Sequence, residues 1–524
     1  MSASSKKKLR KEQEAAKLTE KQLAAQKEAK KLNLLTIAFV AVMAVILVVA
    51  ITVGVNQTIT ANGIREKNTT ALTVGDHELS SVEMNYYFVD SVQTFLNNYG
   101  AYASMFGLDL TLPLNEQVVN EETGDTWADD FLSSAKSTAQ SVYALCDAAA
   151  EAGFTLSQEE LTEVEYNVQN LETYATLYGF ADADAFLKAN YGNGASTESY
   201  LEYSKMRSLA DAYQISYAES LTYEDADLRA VDAEDFNRFS SFSYNTYFLS
   251  TSKFDSAEAA EAAAKSLVSA EINTVEALDA AIAALEINKD NASATSTDYE
   301  DTLYTSVSSI YADWLTDSSR KAGDTSYFPS TSTDADGNET VSGYYVVMFN
   351  GSTDNTFALA NVRHILVNFE GGTTDETTGA TTYSEEEKAA AKAAAEDLLK
   401  QWEAGDNTED SFAALATEHT DDTGSATTGG LYENVYPDQM VVNFNDWCFD
   451  EARKTGDTGI VESNYGYHVM FYAGDSDMNY RDYMIENELR ETDVSEWFTA
   501  LTEAASVTEG DTQYLRMDMV LQAA

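Results

Sequence analysis

The chain predicts a multidomain α+β fold: an N-terminal transmembrane helix, a mainly helical lobe, and two tandem α/β modules. Three observations predict it. At 524 residues the chain is too long for one core, so about three units are expected. An almost wholly apolar run, Leu34 to Val55, lies near the N-terminus. Two distant stretches nearly repeat each other: "RKAGDTSYFPS" continuing to "GYYVVMFNG" (Arg320 to Gly351), and "RKTGDTGIVESNYGYHVMFYAG" (Arg453 to Gly474). Each follows a tryptophan at the same distance, Trp314 and Trp447.

Residues 1–33 form a basic tail, and after Lys31 no charged side chain occurs until Arg65. A helix over 34–55 at about 1.5 Å per residue spans roughly 33 Å, the thickness of a bilayer's hydrocarbon core. The basic flank precedes it, so the positive-inside tendency predicts a cytoplasmic tail and places everything after Val55 outside. A cleaved signal peptide is the rival reading. Its apolar region is usually only about 7 to 15 residues long, and "TITANG" is a weak cleavage site, so an uncleaved anchor is preferred. No cysteine follows the helix to carry a lipid. The tail interleaves acids and no aromatics with its lysines, which reads as a solvated topology signal and not as a nucleic-acid site.

From residue 56 onward, 22 basic side chains face 83 acidic ones, a net charge of −61. Such a field repels nucleic acid and anionic lipid, and weakly favours basic or unfolded partners. The acids are spread along the chain, as on a solvated surface. Only Cys146 and Cys448 occur, both in apolar surroundings, so free buried thiols are expected and a disulfide framework is not.

"TALTVGDHELSSVEMNYYF" predicts a strand, a Gly-Asp turn and a helix start, with His77 facing solvent. Helical patterns then fill a lobe over 66–235, including a capping box at Ser157 and Glu160. The tyrosines and leucines of this lobe recur at three- and four-residue spacing, which is core packing first and a peptide-holding cradle second. A module over 243–353 opens with the strand "FSYNTYFLS", continues through two alanine-rich helices and closes on "GYYVVMFNG". The same order returns over 360–474, with a capping box at Ser384 and Glu387. Residues 478–524 predict an amphipathic helix packing back on the lobe, then a strand in "QYLRMDMVLQ".

The second module carries "VRHILV", a long helix, "FAALATEHTDDTGSATTGGLY", "QMVVNFNDWCF" and "GDTGIVESNYGYHVMFY". In this order these motifs closely resemble the parvulin family of peptidyl-prolyl isomerases. The anchor, the helical lobe and the returning tail resemble exported foldases of the PrsA and SurA type. The resemblance implies cis/trans isomerisation of X-Pro bonds. That reaction opposes an amide barrier of about 18–20 kcal/mol without a covalent intermediate, so it requires an apolar proline pocket beside oriented dipoles.

By the same resemblance, His364 and His468 fall on the family's paired histidines, brought together on adjacent strands. Asp422 falls where the family has Asp or Cys, and Ser463 on a nearby hydroxyl position. Met440 and Phe444 fall on the proline pocket, four apart on one helix face. Tyr432 replaces a pocket leucine, and Asp438 stands where glycine is usual. His419 matches no family position and reads as a helix-end surface residue. No short ligand spacing joins the histidines, so no metal and no cofactor is expected. No Lys or Arg lies between His364 and Lys388, which argues against phosphoserine-proline specificity. In the first module Tyr345 takes the place of His468, and Thr246 that of His364. That module is expected to be a degenerate parvulin-like fold.

The expectation is a single-pass foldase of a bacterial cell membrane. It binds unfolded or newly exported proteins with X-Pro bonds outside the cytoplasm, does not bind nucleic acid, and leaves room for a homodimer. The alternative from another class is a non-catalytic holdase or surface scaffold in which both modules only bind peptide.

Overall fold

A computed structural model describes residues 3–521 except 292, 334–336, 338, 376–378 and 451, and the side chains of 12, 14–30 and 32–41 also lie outside the description. The fold is mixed helix and sheet. A continuous helix occupies Ala3–Ala61. Within it Val42–Ala61 is long and apolar enough to cross a membrane, and none of it is buried. The predicted span began at Leu34, and the side chains of 34–41 are outside the described residues.

The residues divide into two compact units, one of those up to 221 with those from 493 on, the other of 222–492. In the first, β1 (Thr70–Val74) and β2 (His77–Ser80) form an antiparallel hairpin, and β13 (Val507–Glu509) pairs with β1 through Leu72 and Glu509. Ser80 and Glu83 close a capping box that starts helix Ser81–Tyr99. Helices Trp127–Ala152 and Thr197–Ser220 pack on that helix around buried Leu72, Leu79, Tyr86, Phe88 and Phe131. Helix Gln158–Leu177 packs in turn on Thr197–Ser220.

The strand expected in "QYLRMDMVLQ" is a correction. The pairing segment is β13, and the described residues from Gln513 to Leu521 are turns and irregular backbone with a single bridge, Pro113 to Val520. Buried Asn85 explains this: its side-chain amide donates to the Tyr514 carbonyl (3.2 Å) and its oxygen accepts from the Arg516 N–H (2.9 Å). Those backbone groups therefore need no ladder, and Leu515 and Leu521 anchor the segment in the core.

The second unit contains two antiparallel four-stranded sheets. One is built from β3 (Ser241–Ser250), β4 (Thr297–Leu303), β5 (Thr325–Thr333) and β6 (Glu339–Thr353), in the order β4-β3-β6-β5. The next strand, β7 (Ala358–Asn368), precedes a small hairpin of β8 (Thr373–Thr374) and β9 (Thr381–Thr382). Together with β10 (Leu431–Val435), β11 (Thr458–Glu462) and β12 (Gly466–Asn479), β7 forms the other sheet, in the order β10-β7-β12-β11. In both sheets the first and last strands lie at the centre, and the two between them at the edges.

The registers match as well. Tyr345 pairs with Phe248 and Val347 with Thr246 in the first sheet. His468 pairs with Leu366 and Met470 with His364 in the second. Tyr345 and Thr246 thus occupy the sheet positions of His468 and His364. The repeated Trp-Arg motif is a staple in both: Arg320 donates to the Trp314 carbonyl and Arg453 to the Trp447 carbonyl, each guanidinium lying over the indole it serves.

Alternation along β7 and β12 sorts the second sheet's two faces. Ile365, Val469 and Phe471 point to helices Glu385–Glu403 and Glu409–His419, where they pack with Ala395, Trp402 and Phe412. His364, Leu366, His468 and Met470 point to the opposite face, which carries the short helix Val442–Cys448 and a concave site.

Candidate active site

His364 and His468 are diagonal neighbours across β7 and β12, 3 % and 5 % exposed. Their Nδ1 atoms are 3.1 Å apart, with ring centroids at 5.2 Å and planes 26° from parallel. Asp422 arrives from the loop after helix Glu409–His419. That loop is held to β7 by the Asp421 N–H on the Leu366 carbonyl (2.9 Å) and by the Leu366 N–H on Thr420 Oγ1 (3.0 Å). Asp422 Oδ2 then lies 2.9 Å from His364 Nε2. At the other end, Ser463 Oγ lies 2.8 Å from His468 Nε2.

One physical fact orients this whole chain of hydrogen bonds. A carboxylate can only accept, so His364 donates from Nε2. Burial outweighs the attraction of Asp422 and lowers the pKa of His364. Burial, then the neighbouring His364, lower that of His468 to about 4. Both rings are therefore neutral near pH 7, each with one N–H. Neutral His364 has a bare Nδ1, which accepts from His468 Nδ1–H. His468 Nε2 is left to accept from the Ser463 hydroxyl.

Asp422 Oδ2 collects two further donors, the Ser425 hydroxyl at 2.5 Å and the Tyr432 hydroxyl at 2.9 Å. Burial opposes its charge. The hydrogen bonds from Ser425, His364 and Tyr432 overcome this and hold its pKa at about 2. Burial and this same carboxylate push the Tyr432 phenol up to about 12.

Beside the chain of hydrogen bonds lies a cavity of about 310 Å³ lined by His364, Leu366, Asp422, Tyr432, Met440, Phe444 and His468, with Gln439, Val441 and Tyr465 completing it. Phe444 stands edge-on to both imidazoles, its centroid 5.4 Å from each. The seven residues singled out from the sequence are thus brought together, six lining the cavity and Ser463 behind His468.

Met440 and Phe444 do not share a helix, which corrects the expectation. Residues 436–441 make a turn, with Asp438 in the left-handed region (φ 65°) and its N–H on Asn445 Oδ1 at 2.7 Å. The helix therefore starts only at Val442, and Met440 reaches the cavity from the turn. That positive φ also accounts for the glycine usual at position 438. Gly430 (φ 74°) is needed for a second reason: a Cβ there would sit 2.2 Å from the His364 carbonyl, where the His364 N–H donates to the Gly430 carbonyl (2.9 Å).

Ser425 was not anticipated, although its spacing of three from Asp422 in a turn-rich loop was the available signal. Leu366, Gln439, Val441 and Tyr465 were also missed as cavity walls. His419 ends its helix half-exposed, away from the pair. Among the described residues no group of three His, Cys, Asp or Glu side chains is placed to hold a metal.

In the first sheet the same face holds no imidazole. Tyr345 packs against Phe248 at 4.7 Å and Tyr311 at 5.8 Å, within a buried cluster of Phe242, Tyr244 and Phe349. Aromatic rings fill the volume where the second sheet has its polar chain.

Comparison with known proteins matches this part of the chain. The PPIC-type PPIASE domain family matches residues 344–472. Over 61 residues the chain is 38 % identical to foldase protein PrsA 1 of Listeria innocua and 36 % identical to that of Listeria monocytogenes. Those 61 residues are 12 % of this chain and 21 % of each relative, so the chain matches about a fifth of the relatives' length. Among solved structures, PrsA from Bacillus subtilis aligns over 75 % of this chain and 94 % of its own at 15 % identity, with a TM-score of 0.28. The residues that build the histidine pair, its hydrogen-bonded partners and the adjoining cavity all fall inside the matched family segment, and the chain carries a parvulin-type, PPIC-type peptidyl-prolyl isomerase domain.

Proposed function

We propose that residues 360–474 catalyse cis/trans isomerisation of X-Pro bonds in unfolded exported proteins, within a foldase anchored by the helix that contains Val42–Ala61. The observation that carries this reading is the oriented series Ser463, His468, His364, Asp422 along one wall of an apolar cavity. The proline ring fits against Met440, Phe444 and the ring face of Tyr432. The fixed dipoles of the histidine pair favour the twisted amide over either planar form. Nothing in the arrangement calls for a nucleophile. The basic N-terminal tail and apolar span support a cytoplasmic N-terminus with the remaining chain outside, and the helical lobe of the first unit serves as the chaperone part.

The module over 243–353 is read as a parvulin-like duplicate without catalysis, supported by its matching strand order and by Tyr345 and Thr246 at the histidine positions. The non-catalytic holdase is the second reading, and the Tyr432 hydroxyl bound to Asp422 inside the pocket favours it. An X-Pro isomerisation assay on the full chain in lipid nanodiscs separates the two. A rate above the uncatalysed one that is lost in the His364→Ala, His468→Ala double variant supports the enzyme. A rate equal to the uncatalysed one, or unchanged in that variant, leaves the holdase.

A further inference from the structure

Helix Gln158–Leu177 buries Val164, Val168 and Ala175. Its other side is not surfaced as a solvated helix face normally is. Glu159, Glu163, Tyr166, Tyr174 and Leu177 fall within an arc of about 80° at 100° per residue. Tyr166 is 62 % exposed, Tyr174 52 % and Leu177 73 %, and Tyr178 follows at 67 %. At the acidic end the stripe enters a groove of about 550 Å³ against helix Thr197–Ser220, lined by Phe154, Glu159, Glu163, Ile215 and Glu219 among others. Ile215 is itself 60 % exposed.

The charge around this surface has one sign. Residues 154–187 and 208–228, which supply the stripe and the groove, contain no lysine and no arginine. An apolar segment alone gains contact here but leaves the carboxylates of Glu159, Glu163 and Glu219 partly desolvated and unpaired. An acidic segment is repelled. A segment with lysines or arginines at one end and bulky apolar residues at the other satisfies both halves. From Glu163 to Leu177 the stripe runs about 21 Å, the reach of roughly six extended residues.

We infer that this face of helix Gln158–Leu177, with its groove against helix Thr197–Ser220, docks cationic-apolar segments of unfolded polypeptide, the basic end on Glu163 and Glu219 and the apolar end on Tyr166, Tyr174 and Leu177. The inference rests on the foldase reading and names the client chemistry that its helical lobe takes. The site needs no proline and no imidazole, so it works independently of the histidine pair.

The test uses the full chain in zwitterionic lipid nanodiscs, with empty nanodiscs as control. The probe is a fluorescent proline-free peptide of lysines followed by leucines and phenylalanine, and a second peptide has glutamates in place of the lysines. The cationic peptide is expected to bind with an affinity that falls with salt, and the acidic one at least about tenfold more weakly. The Glu163→Gln, Glu219→Gln variant lowers the affinity and flattens its salt dependence. The Tyr166→Ser, Tyr174→Ser, Leu177→Ser variant lowers it at every salt concentration. All these side chains are exposed, and circular dichroism checks that the helices persist. Equal binding of the two peptides, or wild-type affinity in both variants, overturns the inference. So does loss of self-association in the serine variant without any peptide binding, because the occupant is then a second copy of the chain. If X-Pro isomerisation is still catalysed while the cationic peptide does not bind, this site fails and the foldase reading stands. If the peptide binds as described but X-Pro isomerisation is absent, the reverse holds.

Discussion

The Nδ1 atoms of His364 and His468 lie 3.1 Å apart, and a single proton serves both. Because Asp422 can only accept, the proton sits on His468, and each imidazole is one member of a single polarised series. Groups that act as one unit lose function together. His364→Ala or His468→Ala is expected to lower kcat/KM for an X-Pro peptide about ten- to hundredfold, and the double variant to cost little more than one of them. Strict multiplication of the two losses, measured in the same assay, counts against a single series.

The depressed histidines make the second unit acid-sensitive. In the unfolded chain an imidazole takes its proton near pH 6.5, whereas in the folded chain His468 does so only near 4, and His364 is lowered too. The unfolded state therefore binds more protons across that window. Stability is full above about pH 6.5 and declines as pH falls toward 4, by on the order of 3 kcal/mol for a shift of His468's size. Asp422 contributes in the ordinary carboxylate sense: its stabilisation is present above about pH 4 and is lost toward 2. Urea denaturation between pH 7 and 4, with nitrogen NMR of the imidazoles, reads both. Imidazolium signals assigned to His364 or His468 in the folded chain at pH 6 contradict the assignment.

Placing imidazoles in the first module is not expected to create an isomerase. Thr246→His with Tyr345→His, in a chain whose own histidine pair is removed, supplies the rings at matched register, but Tyr311 and Phe248 fill the space beside Tyr345. Isomerisation at the uncatalysed rate is the expected result. Restored activity shows that register alone suffices.

Both thiols are free and buried. Burial, reinforced by Asp147 and Asp211, pushes Cys146 up to about 12, and burial does the same to Cys448 against the pull of Arg453. Neither is expected to react with iodoacetamide at pH 8 in the folded chain, and both react once it is unfolded. Mass spectrometry of the alkylated protein distinguishes the two cases.

Arg481 is 1 % exposed and its guanidinium binds Asp232, the Ser240 hydroxyl and the carbonyls of Asp354 and Phe236. It ties the start of helix Tyr480–Ala504 to the segments before and after the first sheet. Arg481→Met leaves Asp232 with Arg229 at 3.6 Å in place of its closer partner, strips the donor from the Asp354 and Phe236 carbonyls, and is expected to destabilise the second unit by about 3 kcal/mol in urea denaturation.

The helices were legible because their signals are local. The capping boxes at Ser157 and Ser384 lie where the sequence placed them. The central strands β3, β6, β7 and β12 were legible because they are long and apolar. The edge strands β4, β5, β10 and β11 were not, since each is short or polar, and β4 and β10 also pair with strands distant in the chain. Arg481 gave no sign of burial, because a charged residue looks solvent-facing until its carbonyl partners are assembled around it.

"GYYVVMFNG" and "GYHVMFYAG" are where the two kinds of information meet. The sequence by itself determined that a motif recurs, that one copy has Tyr345 where the other has His468, and which residue types stand at the pocket, since all of this is written in motif order. Only the tertiary structure decided that Ser425 and Tyr432 share the Asp422 oxygen, that Met440 reaches the pocket from a turn, and which nitrogen carries the shared proton. Hydrogen-bond direction is a property of atoms from four separate segments meeting within about 3 Å, and no stretch of chain holds that information alone.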